Sequence, residues 1–301
     1  MSTARPYAVF SCDLDTVDRH LQGYGFEGLP TCDRIFRTAV PRILELLAEL
    51  GVPGVLFVIA RDAAVQKTLL REAVATGHEV ASHSFTHPQP FRAATDATLW
   101  YEIAGSRARL EDVTGTAVHG FRAPGWDVDA RVLKTIGRAG YRYDASMFPT
   151  PALLASRLAT YQRSAGTRSP FSMEIASHAF APIRPYRCVD GARGLVEFPI
   201  AVTRWLRLPV YHTVSHLVSP RFFARALGSL LRSDLPVCYE FHAADLLDLE
   251  RDGIDARMAR HPGMRLPLER RRAVLRDVLA RIAAARRVVT YRDVLDEELA
   301  R

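Results

Sequence analysis

Short apolar runs alternate with segments of helical periodicity along most of this 301-residue chain. The run at residues 54–60, Gly-Val-Leu-Phe-Val-Ile-Ala, has the length of a strand that is buried on both faces. Segments with apolar residues at helical spacing lie on either side of it, at residues 34–52 and 64–77. About seven such strand–helix units follow one another, and this order predicts a parallel sheet with helical crossovers.

The number of strand–helix units favours a closed barrel over an open sheet. Without an internal linker, the chain is predicted to be a single α/β domain, residues 1–301, folded as a distorted, closed or nearly closed (β/α)7-type barrel. A doubly wound sheet is the alternative. Two segments, at residues 148–194 and 250–266, interrupt the alternation of strands and helices and are predicted to be loop insertions. The first follows a strand, so it should lie over the C-terminal face of the barrel.

The composition indicates the cellular compartment and the kinds of partner to expect. The first ten residues lack the apolar core of a signal peptide, and no run reaches the about 18 apolar residues of a membrane span. The four cysteines are scattered without a CxxC pair, which argues against a disulfide framework and for a reducing cytoplasm. The net charge of +7 favours anionic partners such as phosphate-bearing substrates or, peripherally, the inner face of an anionic membrane. Nucleic acid is disfavoured because the basic residues are dispersed, and no obligate protein partner is inferred.

The first predicted strand ends in two carboxylates, Asp13 and Asp15, within the sequence Cys-Asp-Leu-Asp-Thr-Val. At this spacing both side chains point to the same side of an extended backbone, so each raises the cost of ionising the other. Three interpretations remain open from this segment: a metal or acid–base site, the nucleophile motif of DxDxT/V phosphatases, or a polar strand end that caps a turn.

Two histidines follow the third predicted strand. His83 and His87 are four residues apart, and a helical turn there would place both imidazoles on one side, as metal binding requires. Together with a carboxylate they would leave coordination positions open, which is how catalytic divalent sites are built. The segment therefore predicts metal ligation.

Polar and titratable residues recur at the predicted strand ends, whereas the strand interiors are apolar. These ends carry Asp13 and Asp15, His83 and His87, Arg122 and Pro124, Asp144, and His242. Because the C-terminal ends of parallel strands form the active site of α/β barrels, these side chains are predicted to converge.

Five motifs in this order resemble those of the polysaccharide deacetylase family, also called the NodB-homology or carbohydrate esterase 4 group. They are CDLDT, HSFTHP, RAPGW, YDASMF and FHAAD, and the likeness covers nearly the whole chain. The family's first motif is usually two adjacent aspartates. A branch that includes formylated-aminoarabinose lipid deformylases and some peptidoglycan-deacetylase homologues has Asp-x-Asp, as here. Gly125 occupies a position that is usually Tyr.

The resemblance implies a role for each motif residue. Asp15, His83 and His87 would hold a divalent metal ion, most commonly zinc. Asp13 would be the general base, and Arg122 would pair with it. His242 would protonate the departing amine, with Asp144 orienting it. Backbone N–H groups near Gly125 and Trp126 would hold the oxyanion.

The function predicted from this resemblance is removal of an N-acyl group, acetyl or formyl, from an amino sugar. The Asp-x-Asp motif and the cytoplasmic setting favour a lipid-linked or small glycoside carrier. A soluble N-acyl sugar, oligosaccharide or small linear amide is the alternative substrate. A non-catalytic carbohydrate-binding relative is an alternative of another class, although all five motifs keep their functional residues.

Two other enzyme classes are disfavoured. A DxDxT/V phosphatase needs a later acidic metal-binding pair and a lysine at a strand end, but Lys67 and Lys134 both fall in predicted helices. A Rossmann dehydrogenase would need a GxGxxG turn, which is absent.

The remaining histidines lack ligand spacing to the main cluster, and most are interpreted as structural: His78, His119, His178, His212 and His216. His261, in the second loop insertion, is also interpreted as structural, with contact to a substrate phosphate as the disfavoured alternative.

Overall fold

The computed structural model describes residues 6–152, 178–188 and 194–300. Most of the predicted insertion at residues 148–194 therefore lies outside the described residues. The strands are β1 (Tyr7–Asp13), β2 (Val55–Val58), β3 (Glu79–Ser82), β4 (Gly120–Phe121), β5 (Tyr143–Asp144), β6 (Tyr186–Arg187), β7 (Val196–Glu197), β8 (Val237–His242) and β9 (Arg287–Val288). Their order along the chain follows the predicted alternation with helices.

The described strands form one sheet in the order β6-β7-β5-β4-β3-β2-β1-β8, and β9 pairs with β1. Every pair is parallel except β6 with β7. The first strand lies beside β8 instead of at a topological switch point, so the sheet curls as an opened barrel and is not doubly wound. Beyond β7, the Ala201 N–H donates to Cys238 O on β8 (3.0 Å) across the opening. The predicted barrel-type fold is confirmed.

Helices connect the strands. They are α1 (Val17–Gly23), α2 (Val40–Glu49), α3 (Lys67–Ala75), α4 (Asp96–Trp100), α5 (Ser106–Thr114), α6 (Ala130–Arg138), α7 (His212–Leu217), α8 (Pro220–Leu231), α9 (Leu268–Ala285) and α10 (Tyr291–Leu299). The predicted helix at residues 34–52 begins with a wider π-helical turn, where the Val40 N–H donates to Ile35 O. Pro41 follows that turn and has no N–H to donate to the preceding turn. Within the described ranges, no helix has both the length and the apolar character needed to cross a bilayer.

Alternation along the strands separates two apolar layers. On β1, Ala8 and Phe10 belong to the larger core that includes the helices, whereas Tyr7 and Val9 belong to a smaller core inside the curled sheet. The inner core also contains Tyr291 of α10, so this helix packs against the strand residues of the inner core. The C-terminal ends of the strands remain for polar side chains.

Glu79, at the start of β3, is buried where the inner core meets α10. Its carboxylate accepts hydrogen bonds from the Tyr143 hydroxyl (2.9 Å) and the Arg292 N–H (3.0 Å). Burial raises the pKa of Glu79 to about 6, outweighing these two hydrogen bonds, which lower it. The folded protein therefore binds more protons than the unfolded chain between pH 4.5 and 6.

The Glu79→Gln variant is expected to lose this pH dependence. In the wild type, the contribution of Glu79 to the free energy of unfolding should fall by about 2 kcal/mol as the pH rises through that window. In the variant, the amide oxygen can accept from the Arg292 N–H, and the amide N–H can donate to the Tyr143 hydroxyl. The unfolding free energy of the variant relative to wild type should thus increase by about 2 kcal/mol between pH 4 and pH 7. Urea denaturation at several pH values measures this difference, and parallel pH profiles would contradict it.

Candidate active site

Polar side chains lie together at the C-terminal ends of several neighbouring strands. Asp13 is the last residue of β1 and is directly opposite His242, the last residue of β8. Asp144 ends β5, and Arg122 directly follows β4. Because parallel strands present these ends at one edge, side chains far apart in the sequence share one site.

Asp15, His83 and His87 converge on one point. Asp15 Oδ1 lies 3.1 Å from His83 Nε2 and 3.3 Å from His87 Nε2, and all three side chains are buried. The two imidazole centroids are 4.8 Å apart. One donor atom from each residue thus faces a common centre, as predicted for metal ligands.

The backbone that carries these histidines differs from the predicted helical turn. Ser84 and His87 have φ values of 65° and 60°, in the left-handed region that residues with a side chain seldom adopt. The buried carboxylate of Glu102 holds this turn, since it accepts hydrogen bonds from the N–H groups of Phe85 and Thr86 and from the Thr86 hydroxyl. The rings converge because of this turn, and not because of helical spacing.

The three ligands fit a divalent transition-metal ion. Asp15 Oδ1 and both ring nitrogens of His87 are buried without a hydrogen-bond partner. His83 Nδ1 is hydrogen-bonded to Arg122 O (2.8 Å), which orients Nε2 toward the centre as the outer contacts of metal-bound histidines do. An Asp-His-His set with open positions is typical of catalytic zinc sites.

The electrostatics of the cluster also favour a cation. Burial lowers the pKa of His83, but Asp13 and Asp15 outweigh it and raise the pKa to about 9. At His87, burial, together with the charges of His83 and Arg19, outweighs Asp15 and lowers the pKa to about 4. The two carboxylates thus attract positive charge to the position between them.

Asp13 belongs to a second, adjacent group of charges. Arg122, which is completely buried, donates to Asp13 Oδ1 from Nη1 (2.6 Å) and lies 3.6 Å from Glu240 Oε2. Its other nitrogens donate to Ala145 O (2.8 Å) and Ser11 Oγ (3.1 Å). Donor atoms of Asp13, Glu240 and His242 also lie within 4.8 Å of one another. A metal ion bound there would have to compete with the Arg122 guanidinium, so this group is less suited to metal binding.

His242 lies at the edge of this group, and its side chain is 13% exposed. Its Nε2 is 3.8 Å from Glu240 Oε1. Burial lowers the pKa of His242, but the carboxylates of Glu240, Asp13 and Asp15 outweigh it, so the pKa lies above its ordinary value. A partly accessible imidazole with a raised pKa can donate a proton near neutral pH.

Asp144 contacts a different set of residues from the one expected. Its carboxylate accepts hydrogen bonds from the Ser146 hydroxyl (2.8 Å) and N–H (3.3 Å), and it lies in register with Glu197 on β7. Burial raises the pKa of Asp144. Among the described contacts none joins Asp144 to His242, whose neighbouring carboxylates are Asp13, Glu240 and Asp245. This is contrary to the expectation that Asp144 orients His242.

The turn after Arg122 carries the residues that are predicted to hold the oxyanion. Gly125 (φ 61°) and Trp126 (φ 55°) both lie in the left-handed region. The Trp126 N–H donates to Ala123 O (3.0 Å) and is therefore engaged within the turn, while an oxyanion role for the N–H groups near Gly125 and Trp126 stays a prediction. The Trp126 indole N–H donates to Glu240 Oε2 (3.1 Å), so this side chain positions the carboxylate next to His242.

Comparison with known proteins agrees with this arrangement. The family model for polysaccharide deacetylase matches residues 27–143, a segment that contains His83, His87 and Arg122. This segment of the chain resembles the polysaccharide deacetylase family. Asp13, Asp15, Asp144 and His242 lie outside the matched segment.

Individual relatives match over part of their length. A peptidoglycan deacetylase of Helicobacter pylori is 28% identical over 144 residues, which cover 46% of this chain and 48% of that protein. A chitooligosaccharide deacetylase of Sinorhizobium fredii is 36% identical over 102 residues, 33% of this chain and 46% of that protein. The chain thus spans about half the length of these curated relatives.

Fold similarity extends over the whole chain. The crystal structure of a Mycobacterium smegmatis protein assigned to the polysaccharide deacetylases superposes with a TM-score of 0.63 at 20% identity, covering 100% of this chain and 92% of that one. At this identity the likeness concerns the fold. It places the opened barrel among the folds of the deacetylase family.

Sequence reasoning missed Glu240, which joins Arg122, Trp126 and His242. The signal was present, because Glu240 and His242 are two residues apart on a strand and so point to the same face. It also missed a group of histidines around Asp245. His212 and His216 have the same four-residue spacing as His83 and His87, so a signal was present, whereas Asp245 and His261 join them only through tertiary structure.

Proposed function

We propose that this protein is a metal-dependent hydrolase that removes an N-acyl group, most simply acetyl, from an amino sugar. The observation that carries this proposal is the contact between two buried groups. Asp15, His83 and His87 form one, and Asp13 with Arg122 forms the other, 3.8 Å away through Asp13 Oδ2 and His83 Nε2. An amide hydrolase needs this combination, because water must be made nucleophilic beside a base.

Asp13 accepts the proton in this scheme. A divalent ion held by Asp15, His83 and His87 supplies Lewis acidity that makes water more acidic. The Asp13 carboxylate takes the proton as the water oxygen bonds to the amide carbon. Arg122 holds Asp13 Oδ1 through a hydrogen bond of 2.6 Å and leaves Oδ2 to face the reacting atoms. Its buried charge also keeps Asp13 from being an uncompensated anion beside Glu240.

His242 donates the proton that the leaving nitrogen needs. An amine is a poor leaving group as an anion, so the C–N bond breaks as the imidazolium transfers its proton to nitrogen. Glu240 and Trp126 position the His242 imidazole. The Trp126 indole N–H donates to Glu240, and the Glu240 carboxylate lies 3.8 Å from His242 Nε2. The products are a free amine and the carboxylate of the acyl group.

An exposed apolar patch supports a lipid-linked substrate, as the sequence predicts. Trp205 and Leu206 are 84% and 74% exposed at the tip of a turn that is closed by the Thr203 N–H donating to Leu208 O (3.0 Å). Phe180, also exposed, is next to this turn because Arg207 donates to Ala179 O and Ala181 O. Exposed Trp and Leu beside arginines are typical of surfaces that contact a membrane interface.

A substrate panel tests the activity and the carrier together. The purified zinc-loaded protein is expected to release acetate or formate from N-acylated amino sugars, and to act faster on glycolipids held in vesicles than on soluble chitooligosaccharides. Trp205→Ala should keep its turnover on the soluble sugars and lose about tenfold on vesicles, since it removes an interfacial anchor.

Each outcome bears on a different part of the proposal. Equal rates of the wild type and the variant on vesicles would contradict the membrane role of the patch. Activity confined to long glycan polymers would contradict the lipid-linked carrier. Release of no acyl group from any amino sugar would contradict the deacylase function itself.

A further inference from the structure

A second cluster of metal-type ligands lies apart from the Asp15 group. His212 and His216 are one turn apart on α7, and Asp245 follows the end of β8. One ligand atom from each of these three residues lies within 4.8 Å of the others. None of them belongs to the group of Asp15, His83 and His87, and of the three only Asp245 lies in one of the five motifs, FHAAD.

Buried atoms without hydrogen-bond partners surround this point. They are Asp245 Oδ1, His212 Nε2, His216 Nε2 and His261 Nε2. His212, His261 and Asp245 are at least nine-tenths buried. A buried polar atom with no partner is costly, so three such residues at one location, with His261 Nε2 3.6 Å from Asp245 Oδ1, indicate a missing ligand.

The outer contacts orient these side chains toward the same centre. His212 Nδ1 is hydrogen-bonded to the Tyr239 hydroxyl (3.1 Å), and His261 Nδ1 to the Tyr24 hydroxyl (3.1 Å). Each contact fixes one ring nitrogen and leaves Nε2 directed inward, as partners of metal-bound histidines do. Asp245 Oδ2 accepts from the His242 N–H (2.9 Å), which leaves Oδ1 for the centre.

His261 supplies a fourth donor. Its Nε2 is 3.6 Å from Asp245 Oδ1. Donor atoms of a tetrahedral zinc shell are separated by about 3.3 Å, given Zn–N and Zn–O distances of about 2.0–2.1 Å. Three imidazoles and one carboxylate suit a borderline transition-metal ion and do not suit magnesium or calcium, which prefer oxygen ligands.

We propose that His212, His216 and Asp245, completed by His261, bind a second zinc ion. This reassigns His212, His216 and His261, all of which the sequence analysis interprets as structural. With four protein ligands the shell would be closed, which is typical of a structural zinc site.

Such an ion would act on the active site through Asp245. The same carboxylate that would bind zinc through Oδ1 holds the His242 backbone through Oδ2. It would also tie α7 and the loop around His261 to the end of β8. His242 would then be positioned by the metal, without touching it.

Zinc counting separates this site from the proposed catalytic one. Chain stripped with a chelator, reloaded with zinc and dialysed is analysed by elemental mass spectrometry. We expect about two ions per wild-type chain, about one in His216→Ala, about one in Asp15→Ala and none in the double variant. His216 is the most accessible ligand of the second site, so its replacement leaves the buried core intact. His119→Ala, a partly exposed histidine outside both clusters, is the matched control and should keep two.

Cobalt gives a readout that does not depend on activity. Co²⁺ bound by three imidazoles and a carboxylate in a tetrahedral shell should produce strong visible absorption. This absorption should persist in Asp15→Ala and disappear in His216→Ala and His261→Gln. Circular dichroism of the variants checks that they are folded.

The outcomes distinguish failure of this site from failure of the catalytic one. One ion in the wild type that is lost in Asp15→Ala and kept in His216→Ala would overturn the second site. Loss of both ions in folded His216→Ala would overturn its independence. One ion that His216→Ala loses and Asp15→Ala keeps would support the second site and overturn the catalytic one. A wild type that binds no zinc overturns both.

Discussion

Asp15→Ala is expected to lose the catalytic metal and to lower turnover by at least about 1,000-fold, equivalent to about 4 kcal/mol of transition-state stabilisation. The expectation rests on Asp15 Oδ1, the atom that His83 Nε2 (3.1 Å) and His87 Nε2 (3.3 Å) approach together. Removing the carboxylate leaves two neutral imidazoles, which bind a divalent ion weakly. Zinc content and initial rates on the substrate of the panel, measured on the same preparation, check this result.

The neighbouring Asp18→Ala provides the matched control for Asp15→Ala. Asp18 is a buried carboxylate three residues along the chain, and it faces Arg19 and Arg61 instead of the histidines. Its removal should leave catalytic zinc in place and turnover within a few-fold of wild type. Full zinc and full turnover in Asp15→Ala would show that Asp15 is not a ligand.

Asp13→Asn is expected to keep zinc and to lower kcat by about 100- to 10,000-fold, the usual contribution of a positioned general base. The amide has nearly the shape of the carboxylate, and its oxygen can still accept the 2.6 Å hydrogen bond from Arg122 Nη1. It cannot accept the proton of the attacking water, so the loss should appear in kcat and not in KM. Steady-state kinetics and elemental analysis measure the two quantities.

Glu240→Gln is the control for Asp13→Asn. It tests whether removing the charge of any carboxylate beside Arg122 lowers kcat as much. Glu240 lies 3.6 Å from Arg122 Nη1 but faces His242, so its replacement should have a smaller effect on kcat. A zinc-free Asp13→Asn protein would mean that Asp13 is the ligand and that the roles of Asp13 and Asp15 are exchanged. An Asp13→Asn protein with wild-type kcat would remove Asp13 from the mechanism.

The fold could be predicted largely from local patterns. Runs such as residues 54–60 are long enough for one buried strand, and residues 34–52 and 64–77 have the helical spacing of α2 and α3. Alternation along the chain then dictates parallel pairing. The short helix α7 was not predicted, because six residues carry too little periodicity to be recognised. Most of the 148–194 insertion lies outside the described residues.

The candidate site was predictable where the motif residues lie at strand ends. Asp15, His83 and His87 meet because the sheet brings β1 and β3 to the same edge. The prediction was less successful where a contact depends on a turn or on a partner far along the chain. The position of the Trp126 N–H is decided by a left-handed turn, and the neighbours of Asp144 by its register with Glu197. Neither can be inferred from residue spacing.

Strands β1 and β8 pair at six consecutive positions. Because side chains alternate between the two faces of a strand, this register fixes which residues face the active site. Ala8 faces Val237 at one end and Asp13 faces His242 at the other. Every second side chain faces the interior of the barrel, and the side chains between them face the helices. Deleting or inserting one residue within β8 would exchange the two sets, placing the imidazole among apolar helices and Phe241 in the interior of the barrel. A change in the length of this strand should therefore harm the proposed reaction more than a substitution on its helix-facing side.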